Sequence, residues 1–202
     1  MSLSINLKTE LRNKLYQYEG KFNHLYLDTK GKITVGVGHL VSNKIAIASV
    51  PLYKTKNNLP FQLASLQEKQ SEYDKIAKLP WGQRYGAATF KPHTTLVMKD
   101  ADINQLLDRH IDNFYKELSN IFKKANGYSD DFDKFHKNVQ LALFDMIFNL
   151  GATKIMNGFP NFNKALKVSD WKKASTESSR SDVSPTRNQY VKQLFNTVPV
   201  KP

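Results

Sequence analysis

The hydrophobic positions of this chain change period several times, and each period predicts an element. Leu7, Leu11, Leu15 and Tyr18 fall four, four and three residues apart, the spacing of one face of an amphipathic helix over residues 7–18. Asn6 or Thr9 is placed to cap it, and Gly20, directly behind Glu19, marks its stop. The period then shortens to two. Leu25 and Leu27, then Ile33, Val35 and Val37, alternate with other residues around Thr29-Lys30-Gly31-Lys32, which predicts a β-hairpin. From Lys99 to Lys123 the helical spacing returns, with Ile103, Leu106, Leu107, His110, Ile111, Phe114 and Leu118 on one stripe and capping candidates between Thr95 and Asp100. Residues 137–150 are apolar almost all round, the pattern of a helix buried at the centre of a domain, and Gly151 ends it. Short helices are expected over 160–167 and 170–177. A last one covers 185–196, with Pro185 in its first turn.

Residues 43–95 fit no single period. Pro51, Pro60, Pro80 and Pro92 interrupt them, and a short helix within 62–78 gives way to the irregular stretch from Leu79 to Thr95. They read as an elaborated loop region. The chain shows no internal repeat and no low-complexity segment. Together the periods predict a mainly helical α+β fold with one small sheet near the N-terminus.

Composition narrows the picture. The chain has 202 residues, 40% hydrophobic and 11% aromatic, enough for a sizeable core in one compact domain. The absence of cysteine excludes a disulfide framework and thiolate metal sites. The N-terminal segment, Met1 to Lys8, has no apolar stretch and no small-residue cleavage site, so no signal peptide is read. The apolar run Ile45-Ala46-Ile47-Ala48 is too short to span a bilayer, and no membrane insertion is expected. Lys and Arg number 30 against 18 Asp and Glu, a net charge of +12. Such a surplus suits a polyanionic partner: nucleic acid, an anionic membrane surface, or a bacterial cell wall with its peptide carboxylates.

Several chemistries drop out by spacing. No H-E-x-x-H or H-x-x-E-H occurs among the five histidines, and there is no G-x-S-x-G elbow. Gly36-Val37-Gly38 follows a strand, but Val41 replaces the third glycine of a dinucleotide fingerprint and no phosphate-loop lysine follows. No cofactor and no metal are expected. What remains is a pair of acids on dissimilar elements, Glu19 at the exit of the first helix and Asp28 beside the first strand, nine positions later. Glycoside hydrolysis needs two such groups, one holding a proton for the leaving oxygen and one charged to steer water or stabilise the cationic sugar. A shielded helix end and a wetter strand edge would keep those roles apart. In a chain with 18 acids, spacing alone does not separate this from two solvated surface charges.

The wider pattern does more. Glu19-Gly20, Tyr26-x-Asp28, Gly31 and Thr34-Val35-Gly36-Val37-Gly38-His39-Leu40 resemble, without a gap, the catalytic segment of the phage-type lysozymes, glycoside hydrolase family 24. Residues 141–151 with Gly158-Phe159 resemble that family's central helix and following loop. Trp171-x-x-Ala174 and Ser184-Pro185-Thr186-Arg187 resemble its C-terminal helices. The resemblance covers roughly residues 10–42 and 97–197 and leaves 43–95 unmatched.

It implies a lysozyme-like α+β fold over 1–202. A small β-containing lobe would span 20–95, with an extended insertion at about 43–95, and residues 1–19 and 96–202 would form a larger helical lobe across a cleft. It also implies a muramidase that inverts configuration. Glu19 would be the general acid, Asp28 the carboxylate that positions or activates water, and Thr34 the residue facing that water. Arg187 would pair with the catalytic Glu, and Phe148, Asn149 and Gly38 would line the substrate site. Asn149 departs from the glutamine found in the phage family. His39 would be a buried structural residue, but the family's acid partner for it aligns with His110, and two buried imidazoles cannot both be charged cheaply. Taken by composition, Thr34 is an ordinary strand former and Arg187 a solvated helix charge.

Two other activities compete. A basic module that binds cell wall or nucleic acid without catalysis would fit the charge. Against it stand the intact Glu19, Asp28 and Thr34 set and the lack of any nucleic-acid signature, and no nucleic-acid partner is expected. A lytic transglycosylase would cut the same bond, but such enzymes work without a second carboxylate. The expected partner is peptidoglycan. Synthesis in the cytoplasm without a signal peptide implies delivery to the wall, either as an endolysin behind a holin or as an antibacterial toxin, for example a type VI secretion effector. The insertion leans toward the toxin, because it offers a cognate immunity protein a surface to recognise. A monomer is expected, since a polymer-cleaving cleft needs open access.

Overall fold

The structure is a computed structural model that describes residues 3–57 and 59–199; Met1 and Ser2, part of the segment in which no signal peptide is read, lie outside them. Its helices are α1 (Ile5–Glu19), α2 (Leu66–Ala77), α3 (Asp100–Ile121), α4 (Lys137–Asn157), α5 (Pro160–Lys167), α6 (Trp171–Glu177) and α7 (Pro185–Asn196). Its strands are β1 (Phe22–Leu27), β2 (Ile33–Gly36), β3 (His39–Leu40), β4 (Tyr53–Lys56), β5 (Leu59–Leu63) and β6 (Leu96–Val97). The fold is α+β and mainly helical, as the periodicities predict. The chain forms two compact units, Met1–Asn13 with His110–Pro202, and Lys14–Arg109; both boundaries fall within helices, α1 and α3.

In the unit Lys14–Arg109, α1 ends where the sequence stops it. Gly20 takes a φ of 73°, a left-handed conformation that costs a glycine little, and its amide donates to the Tyr16 carbonyl at 3.1 Å. At the other end the cap is neither Asn6 nor Thr9. Ser4 accepts from the Leu7 amide at 3.3 Å, so the helix starts earlier than expected. The chain then enters an antiparallel sheet of order β1-β2-β3. The second half of β1 and all of β2 are buried on both faces, with His24, Tyr26 and Thr34 shielded along with the alternating Leu25, Leu27, Ile33 and Val35, whereas Leu40 of β3 is exposed.

The region 43–95 is not an elaborated loop. It holds the β4–β5 hairpin, which β6 just beyond it extends to a sheet of order β5-β4-β6, together with the helix α2 and a 3-10 helix over Ala87–His93. The β4–β5 hairpin escapes sequence reading for two physical reasons. Pro60 sits inside β5, which an edge strand tolerates, and the pairing shifts register between Lys54 and Thr55. Leu59, Phe61 and Leu63 do alternate, but they face solvent, so no core enforces the pattern. Helix α2 begins at Leu66 rather than within 62–65, set by a capping box in which Ser65 and Glu68 exchange hydrogen bonds with each other's backbone amides.

Two buried groups fasten this region, Glu72 tying α2 to β6 and His24 tying β1 to the 3-10 helix. The Glu72 carboxylate accepts from the amides of Thr95 (2.7 Å) and Leu96 (3.0 and 3.1 Å) and from the Thr95 hydroxyl (2.6 Å). His24 Nε2 donates to the Ala87 carbonyl at 2.9 Å. Immediately after β6, the Met98 amide donates to Asn23 at 2.7 Å.

In the other unit, α4 is the core. Leu141 to Ile147 are buried in succession, and the axis breaks at Gly151 (φ 73°, ψ 163°) before continuing to Asn157. By length and composition α4 could cross a membrane, but half of its most apolar stretch is packed inside the protein, as in a core helix. Phe132 meets Tyr115, Phe135 and Phe144 edge to face, and Phe162 meets Phe195 likewise.

Candidate functional site

Within the unit Lys14–Arg109 the charges of the two sequence-selected acids, at the end of α1 and in the β1–β2 turn, both bear on one buried hydroxyl, that of Tyr26. Glu19 is the last residue of α1 and half-buried. Asp28, also half-buried, follows β1 and shapes the turn into β2. Its Oδ1 accepts from the amides of Lys30 and Lys32, both at 2.8 Å, while its own amide donates to the Lys32 carbonyl at 2.9 Å. Among the described residues none donates to Oδ2, so one oxygen of this carboxylate is fixed by backbone and the other is left to solvent or ligand. A carboxylate held this way by amides is pre-aimed without spending side-chain partners.

Thr34 is the neighbour that completes the turn. It is 5% exposed, and its hydroxyl donates to the Lys32 carbonyl at 3.1 Å, the same oxygen that receives the Asp28 amide. Directly across the sheet from Thr34 stands Tyr26. Opposed residues share a face, and Asp28, two positions beyond Tyr26, continues that face.

Tyr26 was not among the residues singled out from the sequence, although it lies in the pattern that carries the resemblance. Burial raises its hydroxyl well above the ordinary tyrosine range, and the charges of Glu19 and then Asp28 raise it further. A hydrogen bond from the Gly38 backbone works in the opposite sense. The phenol is therefore a neutral dipole in the field of both carboxylates, hydrogen-bonded to the Gly38 backbone. The two-residue step from Tyr26 to Asp28 was the available signal.

Gly31 closes the same turn. Its amide donates to the Asp28 carbonyl at 3.0 Å and its φ is 72°. A Cβ there would lie 2.6 Å from Cε2 of Trp81 and 2.9 Å from both Cδ2 and Nε1, so the indole of Trp81 rests on the glycine. Only glycine satisfies both the dihedral and the contact.

The other selected residues are placed as follows. His39 lies on β3, opposite Val35, and is half-buried. His110, in the other unit, is also half-buried, its ring 6.3 Å from that of Phe114. Neither imidazole is fully buried. In that unit Phe148 is half-buried and meets Phe114 edge to face at 5.7 Å, and Asn149 is exposed. Arg187 is not the solvated helix charge its composition suggests. It is 6% exposed, and its Nε donates to Asp145 Oδ2 at 2.9 Å.

Asp145 was missed. It is 5% exposed in the middle of α4, and it also accepts from Arg180 Nη1, at 2.7 Å to Oδ1. A single acid in an otherwise apolar helix was the visible hint. Among the described residues, no group of three or more His, Asp or Glu is placed to hold a metal.

No protein family model matches the chain. A search of curated proteins places it beside one from Dictyostelium discoideum named "Probable T4-type lysozyme 2". The two are 23% identical over 199 residues, 96% of this chain and 97% of that protein, so the likeness runs through the region 43–95 as well as the segments on either side.

Proposed function

We propose that this chain is a muramidase, hydrolysing the β-1,4 bond between N-acetylmuramic acid and N-acetylglucosamine of peptidoglycan. The observation that carries the reading is the action of both Glu19 and Asp28 on the buried Tyr26 hydroxyl, on a strand face shared with Thr34. In this mechanism Glu19 gives its proton to the leaving glycosidic oxygen. Asp28, with Oδ1 fixed by two amides, turns its other oxygen to a water and takes that water's proton as it attacks the anomeric carbon. Thr34 stands beside that water, and attack from the face opposite the leaving group inverts configuration. The full-length similarity to a protein named as a lysozyme supports the same class of hydrolase. The net charge of +12 gathers the protein onto anionic wall polymer before any specific contact forms.

The test is mass spectrometry of fragments released from purified peptidoglycan, with Glu19→Gln as the matched control. Muropeptides ending in reducing N-acetylmuramic acid are expected from the wild type alone. Anhydro-muramyl ends would reassign the chemistry to a transglycosylase and remove the role given to Asp28. Binding to walls without fragments from either protein would leave a wall-binding module.

A further inference from the structure

The muramidase reading accounts for Glu19, Asp28 and Thr34 but leaves a large exposed aromatic beside them unused. Trp81 is 53% exposed, although its indole lies directly on Gly31, in the turn that carries Asp28. It belongs to the region 43–95, outside every segment that carried the sequence resemblance. The segment that presents it is anchored at both ends. The Leu79 amide donates to the carbonyl of the buried Ile76 at 3.1 Å, a Gly82–Tyr85 turn closes at 3.0 Å, and Phe90 beyond it is buried. An indole held this firmly and yet half in water leaves on the order of 100 Å² of aromatic surface uncovered. Placing it there has a cost in hydration that a purely structural residue would avoid by burial.

Resting on the muramidase reading, we propose that Trp81 is a sugar-stacking platform, contributed by the inserted region, that extends the glycan-binding site beyond the Asp28 turn. A pyranose has an apolar face of C–H bonds and a polar rim. An exposed indole fixed in orientation matches the first, and the polar residues that follow it in the chain match the second. Exposed Gln83 and Arg84 follow Trp81, and the Arg84 guanidinium lies 5.2 Å from the Tyr85 ring centre, close enough to be oriented by it. An amide and a guanidinium beside an aromatic face suit the acetamido, hydroxyl and lactyl carboxylate groups of this polymer. Because the indole sits on the same turn as Asp28, a sugar stacked on it is held in register with the carboxylate. The platform thus sets how the chain is gripped, while Glu19 and Asp28 set how it is cut.

The experiment has two readouts on the full chain. The protein has two tryptophans, so Trp171→Phe leaves Trp81 as the sole indole reporter, and Glu19→Gln in the same chain prevents cutting. Titration with soluble, peptide-free N-acetylglucosamine–N-acetylmuramic acid strands is expected to shift Trp81 emission to shorter wavelength and to protect it from acrylamide, saturably. In the active background, Trp81→Ala is expected to raise KM for the same strands about fivefold, with a much smaller change in kcat, as one lost aromatic contact predicts. Trp81→Phe should recover most of that loss, and thermal unfolding followed by circular dichroism checks that both variants are folded. If the wild type releases muropeptides while Trp81 emission stays silent and KM is unchanged, the platform is refuted and the muramidase reading survives. A fall in kcat at constant KM that phenylalanine does not restore would also refute it, because Trp81 would then only brace the Asp28 turn. Neither cleavage nor glycan binding by the wild type would overturn both.

Discussion

Two aspartates, one in each unit, show how differently the same side chain can be used. Asp28 lies in a tight turn, half-buried, with one oxygen held by two backbone amides and, among the described residues, no cation clamped to it. Asp145 lies in the middle of α4, 5% exposed, between the guanidinium groups of Arg180 and Arg187. Backbone amides fix a carboxylate in space while leaving an oxygen able to take a proton or hold water. Two guanidiniums occupy both oxygens and leave neither for chemistry. The first arrangement is suited to chemistry and the second to holding α4, α7 and the Arg180 segment together. The difference lies in the partners and not in burial alone.

The largest effect expected from this contrast falls on Asp145. Asp145→Asn keeps the shape but removes the negative charge that Arg180 Nη1 and Arg187 Nε meet in this buried cluster, and removal of one partner from a buried ion pair costs roughly 3–5 kcal/mol. The urea midpoint of the variant should fall accordingly. A midpoint within about 0.5 kcal/mol of wild type would break the comparison, because Asp145 would then be no keystone. Asp28→Asn should do the reverse. An amide oxygen can still accept from Lys30 and Lys32, so stability should change by less than about 1 kcal/mol. Peptidoglycan hydrolysis should nonetheless fall by at least about a hundredfold, the usual contribution of a positioned acid or base. Turbidity clearance of purified walls, read beside the unfolding curve, checks both halves.

Glu72 sharpens the comparison, being a carboxylate that is buried yet held by neutral donors. Glu72→Gln puts an NH₂ group where the amides of Thr95 and Leu96 already donate, and one unsatisfied donor costs about 1–3 kcal/mol. The loss should appear as faster hydrogen exchange at β6 and the end of α2, with the unit Met1–Asn13, His110–Pro202 unaffected. Unchanged exchange at β6 would mean that the carboxylate is not what ties α2 to that strand.

How much of this was legible in the sequence follows from the same physics. Helices α1 and α3 were readable because a core enforces their stripes over three or more turns, α4 because it is apolar almost all round, and β1 and β2 because their alternation flanks a recognisable turn. The β4–β5 hairpin was not, since Leu59, Phe61 and Leu63 alternate toward water and Pro60 breaks the expectation of a strand. At the site, Glu19, Asp28 and Thr34 stand close in sequence, so a local motif could select them. Tyr26 was within reach by the two-residue step but has no chemistry of its own to advertise it. Asp145 was beyond reach, because its partners lie 35 and 42 residues further on and no local pattern names them. Trp81 was visible only as an aromatic in an irregular stretch; its contact with Gly31 exists only in three dimensions.

The smallest expected effect concerns a third kind of buried titratable group, one kept neutral. Burial lowers the affinity of His24 for a proton, and the Lys91 charge lowers it further, against the opposing hydrogen bond to the Ala87 carbonyl. The folded state therefore binds this proton less readily than the unfolded chain, whose ordinary value is 6.5. The stabilisation is fully present above that value and is lost as pH falls through and below it, since the unfolded state then gains protons first. Between pH 7 and 5 the wild type should lose stability faster than a His24→Gln variant, whose amide can still donate to Ala87. The difference should amount to about 1 kcal/mol or less across that interval. Parallel slopes for the two proteins would show that His24 is not the group responsible. Because Ala87 begins the 3-10 helix that follows the Trp81 segment, the same titration also tests whether acid loosens the inserted region before the rest of its unit.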